Sequence, residues 1–178
     1  ALEAAQGEDV AMVCSGDPGV YGMASLCLEL AEEYPPIDIE IVPGVTAATG
    51  GAAVLGAPLT HDFAVISLSD RLTAWETIEK RLAAASEADL SIVLYNPASH
   101  GRPDHLRRAC DILLRTLPES RPCGIAHNIG REGEYGELLT LAELRDYPAD
   151  MFCTVFIGNS ATKVVAGKLV TPRGYRDV

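Results

Sequence analysis

Short apolar runs that end in loops bearing glycine, proline or asparagine, each followed by helically spaced apolar residues, recur along the chain and limit it to an α/β architecture. Residues 10–14 form such a run, ending in Ser-Gly-Asp-Pro-Gly before the helical spacing of residues 21–33. Residues 37–42 alternate, with Ile37, Ile39 and Ile41 on one face, and stop at Pro43 and Gly44. Thr46 can then cap a small-residue helix that runs to Leu55. The Gly-Ala-Pro-Leu-Thr stretch at residues 56–60 breaks that helix and reads as an inter-domain linker. Beyond it the spacing predicts a strand over 63–68, a helix over 75–85, a strand over 90–95, a helix over 104–117 and a strand over 123–127. A short strand over 137–140, a helical turn over 141–146 and a strand over 153–157 complete the order. Such alternation predicts at least partly parallel sheets with ligands gathered at the carboxyl ends of the strands.

Composition narrows the function classes. With 178 residues, 48% of them hydrophobic, the chain can bury one substantial core or two small ones. Its apolar runs are strand-sized and fall far short of the ~20 residues of a spanning helix, so no membrane partner is expected. A net charge of −11 with scattered basic residues argues against nucleic acid. The first residues show neither a signal-peptide pattern nor an initiating methionine, and read as the start of an internal fragment. The five cysteines are widely spaced and include no Cys-x-x-Cys pair, which disfavours a disulfide framework and a metal site alike. A reducing cytoplasm is the simplest compartment for them.

The loops are the informative part. Residues 15–22 (Ser-Gly-Asp-Pro-Gly-Val-Tyr-Gly), 43–47, 95–97 and 127–130 each end a predicted strand. Glycines there let a ligand approach the backbone, and amides beside a helix start can bind an anion. Taken singly, a Gly-Asp-Pro-Gly loop or a Pro-Gly stop is more often only a turn.

Taken together, in this order and at these intervals, Ser-Gly-Asp-Pro-Gly-Val-Tyr-Gly, Val-Pro-Gly-Val-Thr-Ala-Ala, Leu-Tyr-Asn-Pro-Ala-Ser and Asn-Ile-Gly-Arg-Glu-Gly-Glu resemble the tetrapyrrole methylases over nearly the whole chain. Within that family the resemblance is greatest to the branch that methylates C17 of precorrin-3B or cobalt-factor III in cobalamin synthesis. Residues 57–64, the Ser-Leu-Ser-Asp-Arg-Leu-Thr-Ala-Trp-Glu stretch at 67–76, the Tyr-Asn-Pro loop and residues 169–175 carry it. The resemblance implies two α/β domains with a cleft between them, residues 1–58 being the remainder of the first and 59–178 the second. It implies methyl transfer from S-adenosylmethionine to a precorrin-type tetrapyrrole, with ring contraction, in a homodimer. The family pattern begins with a strand, a Gly-x-Gly-Pro-Gly loop and a helix–strand stretch that have no counterpart before Ala1. The first domain is therefore expected to be incomplete, with apolar surface and one wall of the cleft uncovered, and two expectations stay open for the chain: an active methyltransferase, or a piece that keeps the second domain's fold without turnover.

By the same resemblance, Gly16, Asp17 and the backbone at Val20 line the methionine end and ribose of the cofactor. Thr46 and Ala47 hold it after the Pro-Gly step, Tyr95 and Asn96 lie against the adenosine, and Asn128 and Ile129 contact the adenine. A surface turn for Asp17, a helix cap for Thr46, a core aromatic for Tyr95 and a turn asparagine for Asn128 are the alternatives. Substrate contacts fall to Ser69, Asp70, Arg71, Arg102 and Arg131, with the substrate's carboxylates suited to the arginines, since a guanidinium can hold one bidentately; the alternative for each arginine is a solvated surface residue. Among the three, Arg71 ranks first. His61 and Asp62 sit at the linker, where the histidine is either a proton carrier or a hydrogen-bonded turn residue. Displacement at a sulfonium needs alignment and exclusion of water rather than a catalytic triad or a metal, and no residue is assigned to the ring contraction. Two other readings remain open: a family methyltransferase with a different acceptor, such as another precorrin carbon or uroporphyrinogen III, and a non-catalytic ligand-binding or dimerising module.

Overall fold

Val93, Ala126 and Phe156 face one way along their strands while Ile92, Leu94, Ile125, Val155 and Ile157 face the other, and this period of two divides the core into two apolar layers. The strands belong to a five-stranded sheet in a computed structural model that describes residues 1–175. They are β2 (Phe63–Ser67), β3 (Ser91–Tyr95), β4 (Pro122–His127), β5 (Tyr135–Thr140) and β6 (Cys153–Ile157), in the order β2-β3-β6-β4-β5. Helices α3 (Trp75–Glu87), α4 (His105–Leu113) and α5 (Leu141–Arg145) cover one face through Ile78, Leu82, Leu106, Leu113, Leu141 and Leu144. On the other face lie α2 (Ala47–Leu55), through Ala48 and Leu55, and Leu169 of β8 (Lys168–Val170). Strands β1 (Gly56–Ala57), β8 and β7 (Lys163–Val165) make a second, small sheet in that order, β1 parallel and β7 antiparallel to β8. All of this belongs to one of two compact units, the one that begins at Ala47; the other is Ala1–Thr46.

Strand direction, more than strand order, decides where the loops of this unit gather. β2 and β3 run parallel, while β6 lies antiparallel to both β3 and β4. β2, β3 and β4 therefore all point the same way, and Ser67, Tyr95 and His127 end them at one edge of the sheet. The sheet is mixed rather than mainly parallel, because β6 inserts between two strands it opposes and β5 folds back on β4 as a hairpin partner.

Close packing of α2 depends on Gly51: a Cβ there would stand 2.8 Å from the Phe156 ring and 3.0 Å from the Ala126 methyl. α5 is held at its start by a capping box. The Glu143 amide donates to Thr140 Oγ1 at 3.3 Å and the Thr140 amide donates to Glu143 Oε2 at 2.8 Å. Thr140→Ala is expected to cost about 1 kcal/mol, read as a lower urea midpoint with an unchanged slope.

The first unit contains a 3-10 turn (Ala4–Gln6) and α1 (Ala24–Ala31). Residues 10–14 and 37–42, which alternate or run apolar as strands do, form no ladder among the described residues. A strand exists only with a hydrogen-bonded neighbour, and local pattern does not supply one. Val13, Val42 and Val45 are accordingly exposed, as are Leu26, Leu28 and Leu30 of α1. No helix among the described residues is long and apolar enough to cross a membrane.

Candidate functional site

Asp17 organises the loop at residues 15–22. Its Oδ1 accepts from the Gly19 amide at 2.8 Å, and its Oδ2 accepts from the Gly44 amide at 2.9 Å, tying this loop to the Pro43-Gly44 turn. The Gly44 amide above all, with that of Gly19, holds the carboxyl below the ordinary carboxylate range. Gly16 (φ 78°) and Tyr21 (φ 53°) bend the chain on either side, and a Cβ on Gly44 would collide with the Gly16 carbonyl oxygen. The first unit thus brings Gly16, Asp17 and the Gly44–Thr46 turn together around one carboxylate. With the Gly44, Gly19 and Val20 amides on it, the carboxylate still has acceptor capacity for a further donor.

In the second unit, the common strand edge gathers the remaining loops. Asn96 and Asn128, the residues immediately past β3 and β4, both lie in the left-handed region, at φ 53° and 51°. Asparagine tolerates that conformation better than most side chains and uses it to turn the chain off the strand. Asn96 Nδ2 donates to Ser67 Oγ at 2.9 Å, joining the ends of β2 and β3. The Asn128 amide donates to the Phe152 carbonyl at 3.2 Å, and its carbonyl accepts from the Arg131 amide at 2.8 Å. Tyr95 points to the α2 face, where its hydroxyl accepts from the Ala48 amide at 2.6 Å, and Ile129 packs against the same apolar layer. Ala47 opens α2 beside it.

Two of the five substrate candidates meet around a third. Arg102 Nη1 donates to Ser69 Oγ at 2.5 Å and lies 3.9 Å from Asp70 Oδ1, while its Nε donates to Ser99 Oγ at 3.1 Å. Arg131 stands apart from them, its guanidinium 5.6 Å from the Phe152 ring centroid. Arg71 is exposed and pairs with none of the described residues. His105, which spacing alone did not single out, completes the cluster. Its Nδ1 donates to the Leu68 carbonyl at 2.8 Å and its Nε2 faces Asp70 Oδ2 at 3.6 Å. The one local signal for it is its position three residues after Arg102, at the first turn of α4.

A second group unmarked by spacing is His127, Asp150 and Cys153, whose donor atoms lie within 4.8 Å of one another. His127 Nε2 is 3.2 Å from Asp150 Oδ2, and the Cys153 thiol donates to Asp150 Oδ1 at 3.4 Å. Burial pushes that thiol up to about 11, and it donates its hydrogen to Asp150. Burial raises the Asp150 carboxyl, but the Phe152 amide, His127 and Cys153 outweigh it and hold the group below its ordinary value. All five cysteines are free thiols.

Residues 1–145 match the family described as tetrapyrrole (corrin/porphyrin) methylases. A protein of Salmonella typhimurium described as a "probable cobalt-factor III C(17)-methyltransferase" is 48% identical over 177 residues, which is 98% of this chain and 73% of that protein. The crystal structure of the methyltransferase CobJ superposes with a TM-score of 0.88 at 39% identity, over 96% of this chain and 73% of its own. A uroporphyrin-III C-methyltransferase from Thermus thermophilus, solved with S-adenosylhomocysteine, shares the fold at 20% identity and a TM-score of 0.57, over 80% of this chain and 62% of its own.

Proposed function

The chain belongs to the tetrapyrrole methylases, and from that premise we propose that it transfers a methyl group from S-adenosylmethionine to C17 of a precorrin-type tetrapyrrole, with ring contraction, in cobalamin biosynthesis. The observation that carries the reading is the 48% identity, across 98% of this chain, to a protein described as a "probable cobalt-factor III C(17)-methyltransferase". When bound, S-adenosylmethionine supplies a methyl carbon on a positive sulfonium, which an electron-rich ring carbon can attack directly. What the chain's own residues must do is bind, orient and exclude water.

The residues suit that task. The Asp17 carboxylate, kept ionised and aimed by the Gly19 and Gly44 amides, has lone pairs left for the ammonium or sugar hydroxyls of the cofactor. Gly16, Val20 and Thr46 are the companions proposed for it. In the second unit, Ile129 offers an apolar flank for an adenine. Asn96 and Asn128 present backbone groups at turns off the strand ends, and Tyr95 braces the start of α2, where Ala47 lies. Ser69, Asp70 and Arg102 are proposed to line the substrate subsite, the Arg102 guanidinium receiving a substrate carboxylate, with Arg71 and Arg131 further out. Residues 1–58 are proposed as part of an N-terminal α/β domain and 59–178 as the C-terminal one, on the strength of the linker composition at 56–60. A cytoplasmic homodimer is proposed as the working form, which the five free thiols suit.

Calorimetry with S-adenosylhomocysteine, ATP and NAD is the first test, with binding expected for S-adenosylhomocysteine alone. Incubation with S-adenosylmethionine and, side by side, cobalt-factor III, precorrin-3B and uroporphyrinogen III comes next, with one methyl gained by either of the first two acceptors in the mass spectrum. Failure to bind S-adenosylhomocysteine overturns the activity; methylation of uroporphyrinogen III in preference overturns only the acceptor.

A further inference from the structure

We propose that His105 is a positioning residue of the tetrapyrrole carboxylate subsite, holding the loop at residues 68–70 so that Arg102 is aimed before substrate arrives. The inference rests on the assignment of Arg102 to substrate carboxylates and goes beyond it. His105 is buried, 6% exposed, at the first turn of α4. Its Nδ1 spans from the helix to the Leu68 carbonyl, one residue past β2, and its Nε2 faces the Asp70 carboxylate. Trp75 packs on the imidazole with ring centroids 4.8 Å apart, and the Arg108 guanidinium sits 3.8 Å from the Trp75 centroid, so the ring cannot turn without disturbing that stack.

What the imidazole holds is the loop that aims the guanidinium. Ser69 and Asp70, on either side of the same bend, both address Arg102 Nη1, and Ser99 takes Nε. At 3.9 Å, Asp70 is too far for a hydrogen bond and leaves the guanidinium without a bidentate carboxylate partner. Among the described residues Nη2 has no protein acceptor. An arginine that is 16% exposed, fixed at two nitrogens and open at the third, is oriented for a carboxylate from outside the chain. Arg71, two residues from Ser69, has no such support, which is why the structure favours Arg102 over it.

The test is a cycle of His105→Leu, His105→Asn, Arg102→Ala and the double variant His105→Leu/Arg102→Ala, titrated with cobalt-factor III and separately with S-adenosylhomocysteine. His105→Leu is expected to weaken cobalt-factor III binding about tenfold and to leave S-adenosylhomocysteine binding unchanged. Asparagine places an amide near the position of Nδ1, keeps the bond to the Leu68 carbonyl and restores most of the loss. In the Arg102→Ala background, His105→Leu adds nothing. Emission of Trp75, the sole tryptophan, and the urea midpoint report whether each variant keeps the stack and the fold. If Arg102→Ala leaves cobalt-factor III binding intact, the carboxylate assignment fails and this proposal with it. If Arg102→Ala weakens binding and His105→Leu weakens it further by the same factor in both backgrounds, or if S-adenosylhomocysteine affinity falls in parallel, the positioning role alone is overturned.

Discussion

Asp17→Ala is expected to weaken S-adenosylhomocysteine binding by about a hundredfold, because it removes a charged acceptor and releases two loops at once. The Gly19 and Gly44 amides each lose their partner, and with them the tie between residues 15–22 and the Pro43-Gly44 turn. Asp17→Asn does not rescue, since its NH2 group would face one of the two N–H donors. That failure separates an acceptor role from a space-filling one. The pH dependence is set by the direction of the shift. The folded carboxyl lies below its ordinary value, so its contribution is complete above that ordinary value and is lost only as pH falls through the depressed one. Affinity of the native protein should therefore stay flat across neutral and mildly acid pH as far as Asp17 is concerned, and decline only below the usual carboxylate range. Calorimetry on the three proteins over a pH series measures both effects; native affinity in Asp17→Ala removes the residue from the site.

Phe156→Ala is expected to destabilise the second unit by about 3–5 kcal/mol. Phe156 is 1% exposed on β6, between β3 and β4 in the sheet, where its ring meets the space that a side chain on Gly51 would need. Gly51→Val alone, forced against that ring, should cost about 1–3 kcal/mol. The two changes are complementary in volume, so the double variant is expected to be more stable than Phe156→Ala alone. Urea unfolding of the four proteins gives the coupling directly. Costs that add to within about 0.5 kcal/mol would show that α2 and β6 are not packed through this contact.

Asp17 and Gly51 differ in how far local sequence foretells their roles. Asp17 sits in a loop whose composition announces a tight turn, and its amide partner Gly19 is two residues away, within reach of local reasoning. Its second partner, Gly44, lies in a loop that is also legible, yet nothing in the spacing says that the two loops share a carboxylate. Gly51 reads only as a poor helix former in a run of small residues. That it is there to admit Phe156 appears once β6 has been inserted between β3 and β4.

From residue 63 onward, local spacing accounts for the elements and the loops that end them. β2, β3, β4 and β6 and helices α3 and α4 fall where the apolar spacing places them, because periods of two and 3.6 are set by backbone geometry within the element itself. Motif order determined the family. Whatever depends on a distant partner is set by the fold. Residues 10–14 and 37–42 carry strand-like patterns yet pair with nothing described, since a strand's hydrogen bonds belong to its neighbour. The mixed sheet direction arises from β6 pairing across the chain with β3 and β4. Arg71 and Arg102 are chemically alike in sequence, and only packing fixes one and leaves the other in solvent. Beyond its place three residues after Arg102, His105 carries no local sign of its role, because the carbonyl it binds lies 37 residues earlier and is brought to it by the fold.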